Sequence, residues 1–278
     1  MSASSQNAGE SAPSESTRSP QAALQPSRLN RAPSLTSFLL DSAPQPFYMA
    51  TQHPFLRHAG LGTLSKETLE RWLSQDRLYA QSYIGFIGAL IARVELPYSV
   101  ADQSTSLRWR IVNLLSSALE NILRELRFFN DTAEKYGLRL DASAGPEGPF
   151  TAEPATKQYI DLFRAFSTDP SMSLLEGLVV LWATEKCYLK AWTFASSFME
   201  PSGAPAAHAD KDGGALRNEF IPNWTSREFE KFVEDIAEVT DLLAEREDAI
   251  NRSQDVYTAV WARLLDIEAK FWPSVEES

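Results

Sequence analysis

From Ser37 to about residue 272, apolar side chains recur at three- and four-residue spacing, while Gly and Pro collect mostly at the joints between such stretches. This periodicity is that of amphipathic helices, and no alternating pattern of strand length interrupts it. It predicts helices near residues 36–42, 48–60, 65–95, 103–136, 154–167, 171–199, 225–247 and 252–272. The fold class expected is all-α: one irregular bundle of seven or eight helices. Gly/Pro-rich surface loops are expected over 137–153 and 200–223. Thr225-Ser226-Arg227-Glu228 reads as a capping box for the penultimate helix, and Asn251 to Gln254 resembles another.

Ahead of this region, residues 1–34 are rich in Ser, Pro, Ala and Gln, and are expected to form a disordered tail preceding a helical domain over 35–278. Arg31 lies three residues before Ser34, the spacing of a basophilic kinase site, although composition alone favours an ordinary tail serine. The chain has 278 residues, 44% of them apolar, which suffices for a sizeable core. A net charge of −11 speaks against nucleic acid and against anionic membrane surfaces as partners. No apolar run is long enough to span a membrane, and no basic-then-apolar leader is visible. The single cysteine, Cys187, allows no intrachain disulfide, so a reducing, cytoplasmic location is expected.

The helical stripes carry acids where none is expected. On a wheel centred on Asp76, the residues Trp72, Leu73, Tyr79, Ala80, Tyr83 and Ile87 fall within about 60°. Asp76 is therefore predicted to face inward and to need a donor, a cation or a ligand. Glu268 occupies the equivalent place on the stripe Tyr257, Val260, Trp261, Leu264, Phe271 and Trp272. Two acids on separate aromatic stripes suggest a cavity suited to a flat, nitrogen-rich ring, with carboxyls at its edge and aromatic faces around it. On a third helix Lys186 and Lys190 mark the solvent side. Thr184 then points inward, flanked by Glu185 and Cys187, the latter reading as a small buried hydrophobe.

Taken together, His53-Pro54-Phe55-Leu56, Gly62 and Leu64, Gln75-Asp76 with Tyr79, Trp224 to Phe229, and Glu268-Ala269-Lys270-Phe271-Trp272 resemble the TenA/thiaminase-2 family of haem-oxygenase-like proteins. The resemblance covers about residues 37–275. It implies a hydrolase of thiamine-related aminopyrimidines, assembled as a homotetramer and needing no cofactor or metal. It assigns Asp76 to the pyrimidine, Glu268 to proton handling at the scissile methylene, and Tyr79, Tyr159 and Tyr188 to the ring's surroundings. Two departures accompany it. Thr184 replaces the family's nucleophilic cysteine, leaving Glu185 as its candidate substitute and Cys187 as the runner-up, and Trp224 replaces a pocket tyrosine. Loss of the cysteine keeps open a rival reading, a pyrimidine-binding or scaffold protein without turnover. A di-iron site would want Glu-x-x-His, and Glu125-Leu126-Arg127-Phe128 supplies phenylalanine instead. His208 with Asp210 reads as a solvated loop rather than a metal pair.

Overall fold

The computed structural model describes residues 33–99, 103, 105–143, 148–199 and 209–275. His208 and the first 32 residues of the expected tail lie outside them. Among the described residues the protein is all-helical, with helices α1 (Leu35–Ser42), α2 (Pro44–Thr51), α3 (Pro54–Leu61), α4 (Lys66–Ala92) and α5 (Leu107–Tyr136). These are followed by α6 (Pro154–Thr168), α7 (Leu174–Ser196), the short α8 (Ile221–Trp224), α9 (Arg227–Glu247) and α10 (Ala249–Phe271). No helix among them is long and apolar enough to cross a membrane.

Several boundaries differ from the periodicity, each for a local reason. The stretch expected as one helix over 48–60 is two, α2 and α3. Pro54 forces His53 into the extended region (φ −75°, ψ 148°), and the His53 ring then caps α3 by accepting from the Phe55 amide at 3.2 Å. Ser34 belongs to the fold as the N-cap of α1, accepting from the Ser37 amide. Ser173 and Glu176 form a reciprocal capping box for α7, which the sequence reading did not pick out. At α9 the cap is Ser226, bonded to the Phe229 amide, with no reciprocal acid. The helix expected from 252 already starts at Ala249, and its early register breaks at Ser253 (φ −149°, ψ 26°). Within the expected loop 200–223, residues Leu216–Phe220 make a π-helical turn running directly into α8.

α7 is the axis of the bundle, packing against α2, α3, α9 and α10, while α4 is held between α5 and α6. Its buried residues span both sides of the helix, from Leu175 and Leu178 to Trp192 and Ala195, as an interior helix requires. Trp72 of α4 joins the layers: its ring stacks on Trp272 (5.7 Å between centroids, 18°) and meets Trp192, Trp224 and Phe55 at 5.3–5.8 Å. The Trp272 indole N–H in turn donates to the Ala50 carbonyl at 2.8 Å, tying the end of α10 to α2.

Two glycines mark where helices come closest. A Cβ on Gly60 would lie 1.9 Å from the Ala195 carbonyl oxygen of α7, and one on Gly177 would lie 2.2 Å from the Leu90 Cδ2 methyl. Gly60→Ala is expected to destabilise by about 2–3 kcal/mol, because a helix carbonyl cannot move aside. Gly177→Ala should cost less, since Leu90 can turn its methyl away. Urea denaturation of the two variants checks the order.

Candidate active site

The inward stripe of α4 ends at a cavity of about 170 Å³ enclosed by α4, α5, α7, α8 and the start of α9. Asp76, 3% exposed, lies in its wall. The Tyr188 hydroxyl donates to Asp76 Oδ2 at 3.0 Å, whereas Oδ1 is buried and has no partner. Glu185 projects from α7 into the same space, with the Tyr83 hydroxyl donating to its Oε1 at 2.6 Å. Tyr79 and Trp224 complete the walls, with Phe229 and Phe232 further round.

Five of the eight side chains singled out from the sequence thus meet at one cavity: Asp76, Tyr79, Glu185, Tyr188 and Trp224. The other three sit one shell back. Thr184 is buried and its hydroxyl donates to the Leu181 carbonyl at 2.9 Å, with Tyr79 beside it. Tyr159 packs edge-on against Tyr79 (5.0 Å), and its hydroxyl donates to Glu268, which is 4% exposed. Neither Tyr159 nor Glu268 is part of the cavity lining; Tyr159 lies behind Tyr79, and Glu268 behind Tyr159. Cys187 is wholly buried, and burial pushes its thiol pKa up, which keeps it an unreactive thiol.

Two acids of the cavity lining, Glu125 and the exposed Glu228, were not singled out as site residues from the sequence, and Glu125 is the inner one. Glu125 of α5 lines the wall, accepting from the Trp224 indole N–H and, at 3.2 Å, from Asn223 Nδ2. The signal was available: Ile111, Ala118, Ile122, Phe129 and Thr132 share its helical face, the arrangement that exposed Asp76. Among the described residues, no group of three or more His, Cys, Asp or Glu side chains is placed to hold a metal ion.

Burial dominates the electrostatics. The direct donors to Asp76, Glu125, Glu185 and Glu268 are tyrosine hydroxyls, an indole and an amide, all of them neutral. Loss of water raises the pKa of Glu125, Glu185 and Glu268 to about 7 each. Asp76 is raised well above its ordinary value by burial, with the Glu125 charge adding to the effect. The Tyr79 phenol is pushed up by burial and by Glu185. Near neutral pH the site therefore holds carboxyls that can both donate and accept protons.

The described residues form an all-helical bundle with acids and aromatic rings around one cavity, the architecture of a haem-oxygenase-like fold, and the relatives narrow this further. Residues 44–278 match the sequence model of the TENA/THI-4/PQQC family, and the chain belongs to that family. A Fusarium pseudograminearum (strain CS3096) protein named as a probable transcription factor is 35% identical over 248 residues, covering 79% of this chain and 48% of that one. The chain thus spans about half the length of that curated relative. A TenA homologue from Pyrococcus furiosus superposes with a TM-score of 0.65 at 22% identity, covering 86% of this chain and 98% of its own. A TenA family transcription regulator from Silicibacter sp. TM1040 gives a TM-score of 0.66 at 14% identity, covering 86% and 94%. At these identities the two structures establish the shared fold.

The raised acids make stability depend on pH with a definite sign. The unfolded carboxyls release their protons near 4.5, whereas three in the folded chain keep theirs to about 7. Between those values the folded state binds more protons, so stability falls as pH rises and levels off above. The denaturation midpoint of the ligand-free protein should decline from about pH 5 to about pH 7.5. Glu185→Gln should shallow that decline, as measured by urea titrations across the range.

Proposed function

We propose that this chain is a hydrolase of thiamine-related aminopyrimidines, cleaving the bond between the pyrimidine methylene and an amino or formylamino group. Family membership supports a thiamine-related role in general. The observation that carries the finer reading is the buried, unpartnered Asp76 Oδ1 in an aromatic wall. A carboxyl raised in pKa can donate from one oxygen to a ring nitrogen while the other accepts from an exocyclic amine. This two-point match leaves neither Asp76 oxygen without a partner. Tyr79, Tyr188 and Trp224 then flank the ring, with Tyr159 supporting Tyr79 from behind.

In this reading water is the nucleophile, since the Thr184 hydroxyl has no base beside it and the Cys187 thiol is buried away from the cavity. Glu185 takes the water proton as the C–O bond forms. The C–N bond breaks with its electron pair leaving on nitrogen. The family resemblance assigns Glu268, held by the Tyr159 hydroxyl behind the Tyr79 ring, to proton handling at the amine. A homotetramer in the cytoplasm is the setting that the family resemblance suggests, and light scattering tests the assembly. A second reading, a pyrimidine-binding protein without turnover, draws on Thr184 in place of a nucleophile and on the curated relative named as a probable transcription factor.

Release of ammonia or formamide from the two pyrimidines distinguishes them. Turnover supports the hydrolase. Absence of turnover with clear thermal stabilisation by the pyrimidine supports the binder, and absence of both removes the pyrimidine. Glu185→Gln and Glu268→Gln are each expected to lower kcat by about 100-fold. Asp76→Asn should weaken pyrimidine binding more than about tenfold while raising the melting temperature above pH 7, because it removes a buried acid. An unchanged kcat in Glu268→Gln would overturn its proton-transfer role.

A further inference from the structure

Four acids line the cavity, Asp76, Glu125, Glu185 and Glu228, against a single cation, Arg124, whose guanidinium is engaged by Glu228 at 3.2 Å. That ion pair is exposed, at 58% and 75% for its two side chains, so it screens little of the charge within. Of the three inner acids, Asp76 and Glu185 already have roles toward the ring and the water. Glu125 has none. It comes from α5, away from the α4 and α7 groups, and each of its oxygens accepts from one neutral donor. A carboxylate oxygen has a second lone pair, so both remain able to accept from a ligand.

We propose that Glu125 is the receptor for a protonated amine on the bound ring, so that the site selects the free aminomethyl substrate over its N-formyl derivative. The identity of the ring rests on the aminopyrimidine reading above; the positive charge rests on Glu125 and its surroundings. A primary ammonium brings three N–H donors and the charge that these acids lack, whereas a formylated nitrogen brings one N–H, no charge, and a carbonyl oxygen that meets carboxylates. The rings of Tyr188 and Trp224, 5.2 Å apart at 77°, offer an aromatic corner that also favours a cation. Trp224 thereby has two parts, presenting its ring to the cavity and holding Glu125 with its N–H. Burial that raises the Glu125 pKa to about 7 is compensated once a cation sits beside it, so ligand and ionised carboxylate stabilise each other.

The test is calorimetric binding at about pH 7.5, where the amine is protonated, in a Glu185→Gln background that slows cleavage and stands as wild type at position 125, with four probes: the aminomethylpyrimidine, its N-formyl derivative, its hydroxymethyl counterpart, and benzylamine as a cation without the pyrimidine. The wild type is expected to bind the aminomethyl compound at least about tenfold more tightly than the two neutral pyrimidines. Glu125→Gln should erase that preference while leaving the hydroxymethyl affinity within about twofold, which a merely structural defect would not do. Glu125→Asp keeps the charge but withdraws it by one methylene, and should retain part of the preference; it also serves if the glutamine variant does not fold. Equal wild-type affinity for the charged and neutral pyrimidines overturns the proposal and leaves the aminopyrimidine reading intact. Glu125-dependent binding of benzylamine with no pyrimidine bound supports the ammonium receptor and removes the pyrimidine. Binding of none of the four overturns both.

Discussion

The centre of this molecule is governed by one constraint: four carboxyl groups, Asp76 and Glu268 buried and Glu125 and Glu185 part-buried, sit inside a helical bundle with no cation among their direct donors. Charge in such a place is costly, and only three responses exist, namely protonation, hydrogen bonds from neutral donors, or a ligand. All the neutral donors are aromatic or amide groups: Tyr83, Tyr159, Tyr188, Trp224 and Asn223. The aromatic density around the cavity therefore has a polar purpose as well as an apolar one. A phenol or indole is large enough to pack a core and carries one N–H or O–H at its tip, which suits it to deliver a donor to a buried acid without adding charge.

How far the sequence disclosed this depended on the distance over which each relationship acts. Asp76, Glu268 and Thr184 betrayed their inward direction through neighbours three and four residues away, and the helical wheel reads such relationships directly. What it could not read is pairing across the fold. The Tyr83 hydroxyl finds Glu185 102 residues later, and Asp76 finds Tyr188 across 112. The wheel also gives a direction without a depth. Asp76 and Glu268 face inward equally well, yet only Asp76 reaches the cavity, because Tyr79 and Tyr159 intervene before Glu268. Glu125 is legible by the same periodicity, on the face shared by Ile111, Ala118, Ile122, Phe129 and Thr132. The turn at Leu216–Phe220 offered no such signal, since its five residues are too few to show a period.

That turn has structural weight out of proportion to its length. It follows a segment held by Asp212, which accepts from the Gly214 and Leu216 amides at 2.9 and 2.8 Å, and by the Lys211 amide bonded to the Gly62 carbonyl. α8 then delivers Asn223 and Trp224 to Glu125. The cavity wall on this side is thus anchored to the end of α3, far along the chain. The fold converts a glycine-ended helix into a support for the acid opposite Asp76.

The bond from Trp272 to Ala50 spans 222 residues and places the aromatic ring just past the end of α10 over Phe55 and Trp72. During synthesis, α2, α3 and α4 leave the ribosome well before the ring that covers them exists. The contacts that Trp272 makes with Phe55 and Trp72 cannot form until the end of α10 has been synthesised. Such long-range closure slows folding and leaves partly made chains prone to association. The aromatic cluster is complete only with Trp272 in place, so a truncated chain lacking it would leave Phe55 and Trp72 uncovered on that side.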